Sequence, residues 1–396
     1  MSIQAGVGLS TDKDHIAAVQ EAVVQAKKNI AGDKIDLAFV FSTREYAHTT
    51  VLKTISRLSG NAVIIGSSSL AIISRAGICR HGLMVILISL PNEAYFNAAS
   101  IREISSKSFD AAGKELAEKL LYGSKGTRRD LSLIFCDRLI QDSSGIINGM
   151  RQQLGMSFPL IGASPSERLG HKNSHLYFNE EIIKDAACGM LFGGKLTFGV
   201  GVKHGWKPLG KPRHITKSRG NIVYEINEEP AAKLYEEYIG KSREELKKEL
   251  KRISIFYPIG IHLPGEEEYL LRNVISIEDD GSLTLQGDVH VDSRIRLMVG
   301  TKESCLEATA QAMDDLKTAM KDHPAEFILV FDSLSRLMLL GRQADREIEI
   351  IREKAGSGVP IFGLYTYGEQ APLRSIDYLG KTYFHNQTIT ILGVGG

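Results

Sequence analysis

The sequence predicts an α/β protein: two lobes of βαβ units with added antiparallel strands, giving mixed sheets covered by helices. Three observations point there. Strand-length apolar runs alternate with helix-spaced ones along most of the chain. One strand–crossover–strand pattern occurs three times. Further apolar runs at residues 82–90, 196–202 and 389–394 each follow a short loop, as an antiparallel neighbour would.

The elements follow in order. Residues 14–30 place Ile16, Val19, Val23, Ala26 and Ile30 at helical spacing, with Thr11 and Asp14 as cap candidates. Residues 35–41 form a buried strand, 48–58 a helix and 62–65 a second strand. The repeated pattern starts here. Leu37-Ala-Phe-Val-Phe41-Ser42 is followed, 25 residues beyond Phe41, by Gly66-Ser67-Ser68-Ser69. Leu131-Ser-Leu-Ile-Phe135-Cys136-Asp137 is followed, 27 residues beyond Phe135, by Gly162-Ala163-Ser164. Phe327-Ile-Leu-Val-Phe331-Asp332-Ser333 is followed, 32 residues beyond Phe331, by Gly363-Leu364-Tyr365-Thr366. Ligands of open α/β sheets sit beyond the carboxyl ends of parallel strands. Ser42, Ser67, Ser68, Asp137, Ser164, Asp332, Ser333, Tyr365 and Thr366 are therefore candidate ligand-binding residues. The competing reading of each is a helix cap or turn former.

Residues 204–212 look turn-rich. Asn227 and Pro230 read as the cap and first turn of a helix, and Ser242 with Glu245 as a capping box. A boundary near 220 divides the chain into 1–220 and 221–396.

Composition narrows the function. The 396 residues carry 48 basic and 47 acidic side chains, a formal charge of +1, so no nucleic-acid or anionic-membrane partner is expected. The longest apolar run, residues 83–90, is strand length and far short of a membrane helix. No secretory signal is visible, and a cytoplasmic location is expected. The cysteines, Cys79, Cys136, Cys188 and Cys305, form no CxxC pair and suit a reducing compartment. Gly205 to Gly210-Lys211 has phosphate-loop spacing, but Pro212 stands where Ser or Thr would bind magnesium and Pro208 removes an N–H. His171 and His175 are four apart in a loop-like context without a nearby third ligand. No metal and no cofactor are expected. Cys136 at a strand exit is a weak nucleophile candidate, against the reading of a packed small residue.

Several motifs together resemble the FIST family, a sensory module of an N-terminal and a C-terminal FIST domain. They are Ile65-Gly66-Ser67-Ser68-Ser69; Gly205-Trp206-x-Pro208-x-Gly210; Tyr224-Glu-Ile-Asn227-x-x-Pro230-Ala231; Phe331-Asp-Ser333-x-x-Arg336; Gly363-Leu-Tyr365-Thr366-Tyr367-Gly368-Glu369; and Phe384-His385-Asn386-Gln387-Thr388. They span essentially the whole chain. Where relatives commonly carry Cys, this sequence has Ser333. The resemblance implies an intracellular protein of signal transduction binding a small molecule, with amino acids one candidate class. No output domain is expected after the C-terminal FIST segment, and a separate signalling partner protein, or a homodimer, is expected to carry the signal.

For an amino acid, Arg336 would clamp the carboxylate and Asp332 or Glu369 would accept from the ammonium. Tyr365 and Tyr367 would wall the side chain, and His385 and Asn386 would fix orientation. The bland readings are an interdomain ion pair for Arg336, a helix N-terminal acid for Glu369, and a tied turn for residues 385–388. Two other functions compete with the sensor. One is an enzyme acting on a small amino or carboxyl substrate, with Cys136, or Ser67 or Ser68, as nucleophile and His385 or His204 as base. The other is a protein-interaction module, since the C-terminal half resembles a part found in F-box proteins. Its docking face would be the stripe Leu306, Thr309, Ala310, Met313, Leu316 and Met320, which is otherwise core.

Overall fold

The computed structural model describes residues 3–122, 128–137, 142–167, 174–194, 196–266, 268–321, 323–373 and 380–395. All three strand–crossover–strand patterns form parallel pairs. These are Leu37–Ser42 with Val63–Ser68, Arg129–Cys136 with Leu160–Pro165, and Phe327–Ser333 with Ile361–Pro372. A parallel pair needs a crossover long enough to return to the starting edge. The helices Thr49–Leu58, Ser144–Leu154 and Asp345–Ala355 provide it.

The repeat extends further than its sequence pattern. In each unit an antiparallel strand flanks the first parallel strand, and an edge strand flanks that one. The order is Gln4–Ser10, Leu83–Ser89, Leu37–Ser42, Val63–Ser68 in the first unit. It is Tyr95–Arg102, Ala186–Gly193, Arg129–Cys136, Leu160–Pro165 in the second, and Thr197–Lys203, Ile389–Gly395, Phe327–Ser333, Ile361–Pro372 in the third. The runs expected to be antiparallel are antiparallel.

Short segments interlock the units in a cycle. Ile72–Ser74 of the first pairs with Ile361–Pro372 of the third, and Leu176–Phe178 of the second pairs with Val63–Ser68 of the first. Residues 366–370 of the third pair with the end of Leu160–Pro165 in the second.

Strand alternation sends one face of every unit inward. Phe39, Phe41, Phe135, Phe331 and Phe362 meet in one fully buried cluster. The outer faces are covered by helices: His15–Lys27 and Thr49–Leu58, then Phe109–Leu121 and Ser144–Leu154, then Lys302–Ala319, Leu334–Leu340 and Asp345–Ala355. Asp14 caps the first helix, its carboxylate accepting from the N–H groups of Ile16 and Ala17. Two edge strands approach their helices closely enough to require glycine. A Cβ at Gly8 or at Gly201 would lie 1.8 Å from the carbonyl oxygen of Ala22 or Ala312 respectively. The second unit uses Asn97 instead, whose amide donates to the carbonyls of Lys119, Leu120 and Tyr122.

A separate antiparallel sheet, between Lys207 and Val299, is inserted between the third unit's edge strand and its helix Lys302–Ala319. Residue 220 falls in the hairpin turn between Lys207–Arg219 and Ile222–Ile226. Several local expectations are corrected here. Residues 207–219 are one long strand, not turns. Its pairing slips between Leu209 and Arg213, so Pro212 lies in a bulge where its missing N–H costs no ladder bond. Asn227 and Glu228 take left-handed φ of 51° and 66° and close a hairpin before Glu229–Pro230; the helix starts only at Lys233. The Ser242–Glu245 capping box forms as expected. Ile361–Pro372 runs on past Thr366, so Glu369 lies in a strand rather than at a helix start. The helical stripe with Thr309, Met313, Leu316 and Met320 packs inward, which removes it as a docking face.

Candidate functional site

The carboxyl ends of the first unit's parallel strands meet the strand end of the second unit, and a polar cluster forms there. Ser42 Oγ and Tyr177 OH are 2.6 Å apart and hydrogen-bonded, both buried. Ser68 Oγ donates to Glu167 Oε1 at 2.6 Å, and His175 Nδ1 lies 3.3 Å from the same hydroxyl. Burial pushes the Glu167 carboxyl up. Hydrogen bonds from His175 and Ser68 and the charges of His175 and Arg44 outweigh it, so Glu167 sits below its ordinary pKa. Beside this cluster opens a cavity of about 70 Å³, lined by Thr43, Arg44, Ser69, Arg80 and Glu167 among others. Arg44 Nη1 is 3.8 Å from Glu167 Oε2, and both arginines reach solvent.

At the floor of the same junction all three units share one acceptor. The Tyr365 carbonyl accepts from Ser69 Oγ at 2.6 Å and Ser166 Oγ at 2.7 Å. Ser69 belongs to the first unit, Ser166 to the second and Tyr365 to the third. The short sequence between strand and hairpin arm fixes this meeting, because each arm must cross the neighbouring strand end to find its partner.

Other expected site residues fall elsewhere. Arg336 is fully buried under the helices of the third unit. It bonds the carbonyls of His204 (2.6 Å) and Cys305 (3.0 Å), the Thr309 hydroxyl (2.8 Å) and Glu347, and lies 3.0 Å from Asp332. The expectation of an open carboxylate clamp at Arg336 is thereby corrected: the guanidinium compensates two buried acids. Burial and the nearby Glu347 push Asp332 well above the ordinary carboxyl range, against the pull of Arg336. Tyr365 OH is buried on the same side. Thr366 bonds Glu369, and burial pushes the Glu369 carboxyl up to about 8. Ser333 donates its backbone N–H to the Thr388 carbonyl at 3.1 Å.

A third group ties the inserted sheet to the repeats. His385 Nε2 donates to the Ala371 carbonyl at 3.0 Å, and Asn386 Oδ1 accepts from the Asn273 N–H at 3.2 Å. Residues 385–388 thus tie a turn, and the Tyr367 carbonyl accepts from Gln286. Asp137 accepts from Ser174 Oγ (2.9 Å) and the Asp185 N–H (2.7 Å). Ser164 Oγ is 3.4 Å from Gln370 Nε2, and Ser67 Oγ is buried without a hydrogen bond. Cys136 is fully buried in the apolar layer under Phe109–Leu121 and Ser144–Leu154, and burial pushes its thiol up to about 12. That corrects the nucleophile candidate, since the reactive form is the thiolate.

None of the expected site residues lines the cavity: Ser42 and Ser68 are buried beside it, bonded to Tyr177 and Glu167. Arg44, Ser69, Arg80 and Glu167 were missed. Arg44 and Glu167 stand two and three residues beyond strand-exit residues already singled out, Ser42 and Ser164, so the strand-exit rule needed only a longer reach. His171 lies outside the described residues. Among the described residues no cluster of three or more His, Cys, Asp or Glu could hold a metal ion, and no helix is long and apolar enough to cross a membrane.

The FIST N domain model matches residues 36–229 and the FIST C domain model matches residues 231–372. The chain belongs to the FIST family. Relatives of this FIST protein include an uncharacterised protein of Mycobacterium tuberculosis, 23% identical over 94% of this chain and 95% of the relative. Another, from Mycobacterium bovis, is 24% identical over 98% of both. One from Methanocaldococcus jannaschii is 24% identical over 61% of this chain and 49% of its own. Among solved structures, a cyanuric acid hydrolase from A. caulinodans aligns over 99% of both chains with 9% identity and a TM-score of 0.35. A chorismatase aligns over 100% of this chain and 99% of its own with 8% identity and a TM-score of 0.38.

Proposed function

We propose that this FIST protein is a ligand-binding sensor of signal transduction whose ligand is a small α-amino acid held in the cleft between the first and second units. One observation carries the reading: a small cavity at strand carboxyl ends sets the cations Arg44 and Arg80 beside the buried carboxylate of Glu167. A zwitterion has the complementary charges. Its carboxylate would meet the guanidinium groups, which bind carboxylates through paired N–H donors. Its ammonium would meet Glu167. At about 70 Å³ the cavity is far below the ~300–1,000 Å³ of drug-sized sites, which favours a ligand of few heavy atoms. The shared Tyr365 carbonyl gives bound ligand a contact, through Ser69, with all three units, and a separate signalling partner would read the result.

Thermal-shift measurement against the twenty amino acids tests this. A ligand at ~100 times its Kd adds ~2.7 kcal/mol, a shift of a few degrees. The expected result is stabilisation by one class of small amino acid, lost in Arg44→Gln and in Glu167→Gln. No stabilisation by any amino acid at 10 mM, or stabilisation that survives both substitutions, overturns the reading.

A further inference from the structure

A cavity of about 760 Å³ forms a groove at the opposite, amino-terminal ends of the parallel strands, between the second and third units. Its floor is apolar, with Leu154, Phe158, Leu196, Phe198 and Met320. Its walls carry the cations Arg128, Arg129 and Lys321, with His323 beside them. The Arg129 guanidinium lies over the Phe158 ring, 5.9 Å from its centroid, so a flat charged surface sits directly on the apolar floor.

Asp130 is the one carboxylate of the described lining, and it is already engaged. It is buried, accepts the Leu196 N–H at 3.0 Å and pairs with Arg128 at 2.8 Å. Arg129 and Lys321 have no such counter-charge among the described residues. The helices ending here do not account for them. The helix ending at Leu154 has Arg151 in its last turn, with Nε donating to the Met156 carbonyl at 2.9 Å, and the helix ending at Ala319 has Lys317 in its last turn. Those side chains complement the helix ends, and the groove cations are in excess of that need.

We propose that this groove is a second binding site, for an organic anion with a flat apolar body. The aromatic floor stacks the body, and Arg129 and Lys321 hold the anionic group. The volume lies within the ~300–1,000 Å³ typical of small-molecule sites. The site is distinct from the amino-acid cleft in position, size and ligand, and does not depend on it.

The probes are 2-naphthoate and its neutral analogue 2-naphthalenemethanol, titrated into the full chain and followed by calorimetry and ligand-observed NMR. Naphthoate is expected to bind at least tenfold more tightly than the alcohol. The double variant Arg129→Gln, Lys321→Gln should weaken naphthoate at least fivefold and leave the alcohol unchanged. Raising salt from 0.05 to 0.5 M should act in the same direction, because exposed charges are screened. Both lysine and arginine are exposed, so the fold survives the change. Lys233→Gln, a charge change in the inserted sheet's helix, should have no effect. The proposal is overturned by equal affinity for the two probes, by no naphthoate binding at millimolar concentration, or by a double variant that binds like the parent.

Discussion

Phe135 stands edge-on to Phe331, with ring centroids 5.7 Å apart and planes at 87°. One ring lies near the carboxyl end of the first parallel strand of the second unit and the other near that of the equivalent strand of the third. Phe41, the same position in the first unit, is 6.1 Å from Phe135. The three repeats are thus joined through one aromatic position used three times. Phe331→Ala should cost about 3–5 kcal/mol, the usual range for a fully buried phenylalanine. Since that core is common to all units, urea unfolding should stay a single transition. Separate transitions for different parts of the repeat assembly would contradict the shared core.

Arg336 offers a second test. It is the cation between Asp332 and Glu347, with no exposure to solvent. Removing one partner of a buried ionic group leaves uncompensated charge and costs about 3–5 kcal/mol. Arg336→Met should therefore lose that much stability at neutral pH. Amino-acid binding measured on whatever fraction stays folded should keep its affinity, because Arg336 does not reach the cleft. A normally stable Arg336→Met protein that has lost binding would return the carboxylate clamp to this residue.

The buried Glu369 and His385 set opposite limbs of the pH profile. Glu369 is raised from 4.5 to about 8, so the folded state holds a proton that the unfolded state has lost between those values. Stability from this residue is present at low pH and falls as pH rises from about 4.5 to about 8. His385 is lowered from 6.5 to about 4, burial being the main cause. The folded state then binds fewer protons, so its contribution is present above pH 6.5 and is lost as pH falls toward 4. Each term is on the order of a few kcal/mol. Glu369→Gln removes the titration while its amide can still bond Thr366 and the Thr388 N–H, and should flatten the decline between pH 5 and 8. Denaturation midpoints across pH 4–9 measure it, and an unchanged slope would show that Glu369 is ionised in the fold.

Much of this fold was legible because strands and crossovers leave local signatures. Phe41, Phe135 and Phe331 each end an apolar run, and a helix-length segment follows each. The edge strands Gln4–Ser10 and Tyr95–Arg102 and the arms were not legible, because their partners lie far along the chain, whereas the third edge strand, Thr197–Lys203, was. Ile72–Ser74 pairs with a strand almost 290 residues later, and nothing in three residues specifies that. The bulge at residues 210–212 hid a strand, since proline and glycine mark a turn and a register slip alike. Arg336 misled for another reason. A conspicuous arginine beside a strand exit suits a ligand clamp and a buried counter-ion equally, and only Glu347, eleven residues on, decides between them. The strand-exit rule led to Ser42 and Ser68, which are buried beside the cavity, and stopped one residue short of Thr43 and Ser69, which line it.

The shared carbonyl of Tyr365 permits a test of how the units are coupled. Ser69 Oγ and Ser166 Oγ both donate to it, at 2.6 and 2.7 Å, while the Ser166 N–H is a weaker third donor at 3.3 Å. Either hydroxyl alone keeps the carbonyl satisfied. Ser69→Ala and Ser166→Ala should therefore each cost about 1 kcal/mol, the net worth of one hydrogen bond. The double variant leaves a buried acceptor nearly unpaired, and should exceed the sum of the singles by about 0.5–1 kcal/mol. Additive losses would mean that each serine acts only within its own unit. Excess loss, accompanied by weaker amino-acid stabilisation in the double variant, would place the contact between units directly under the ligand cleft.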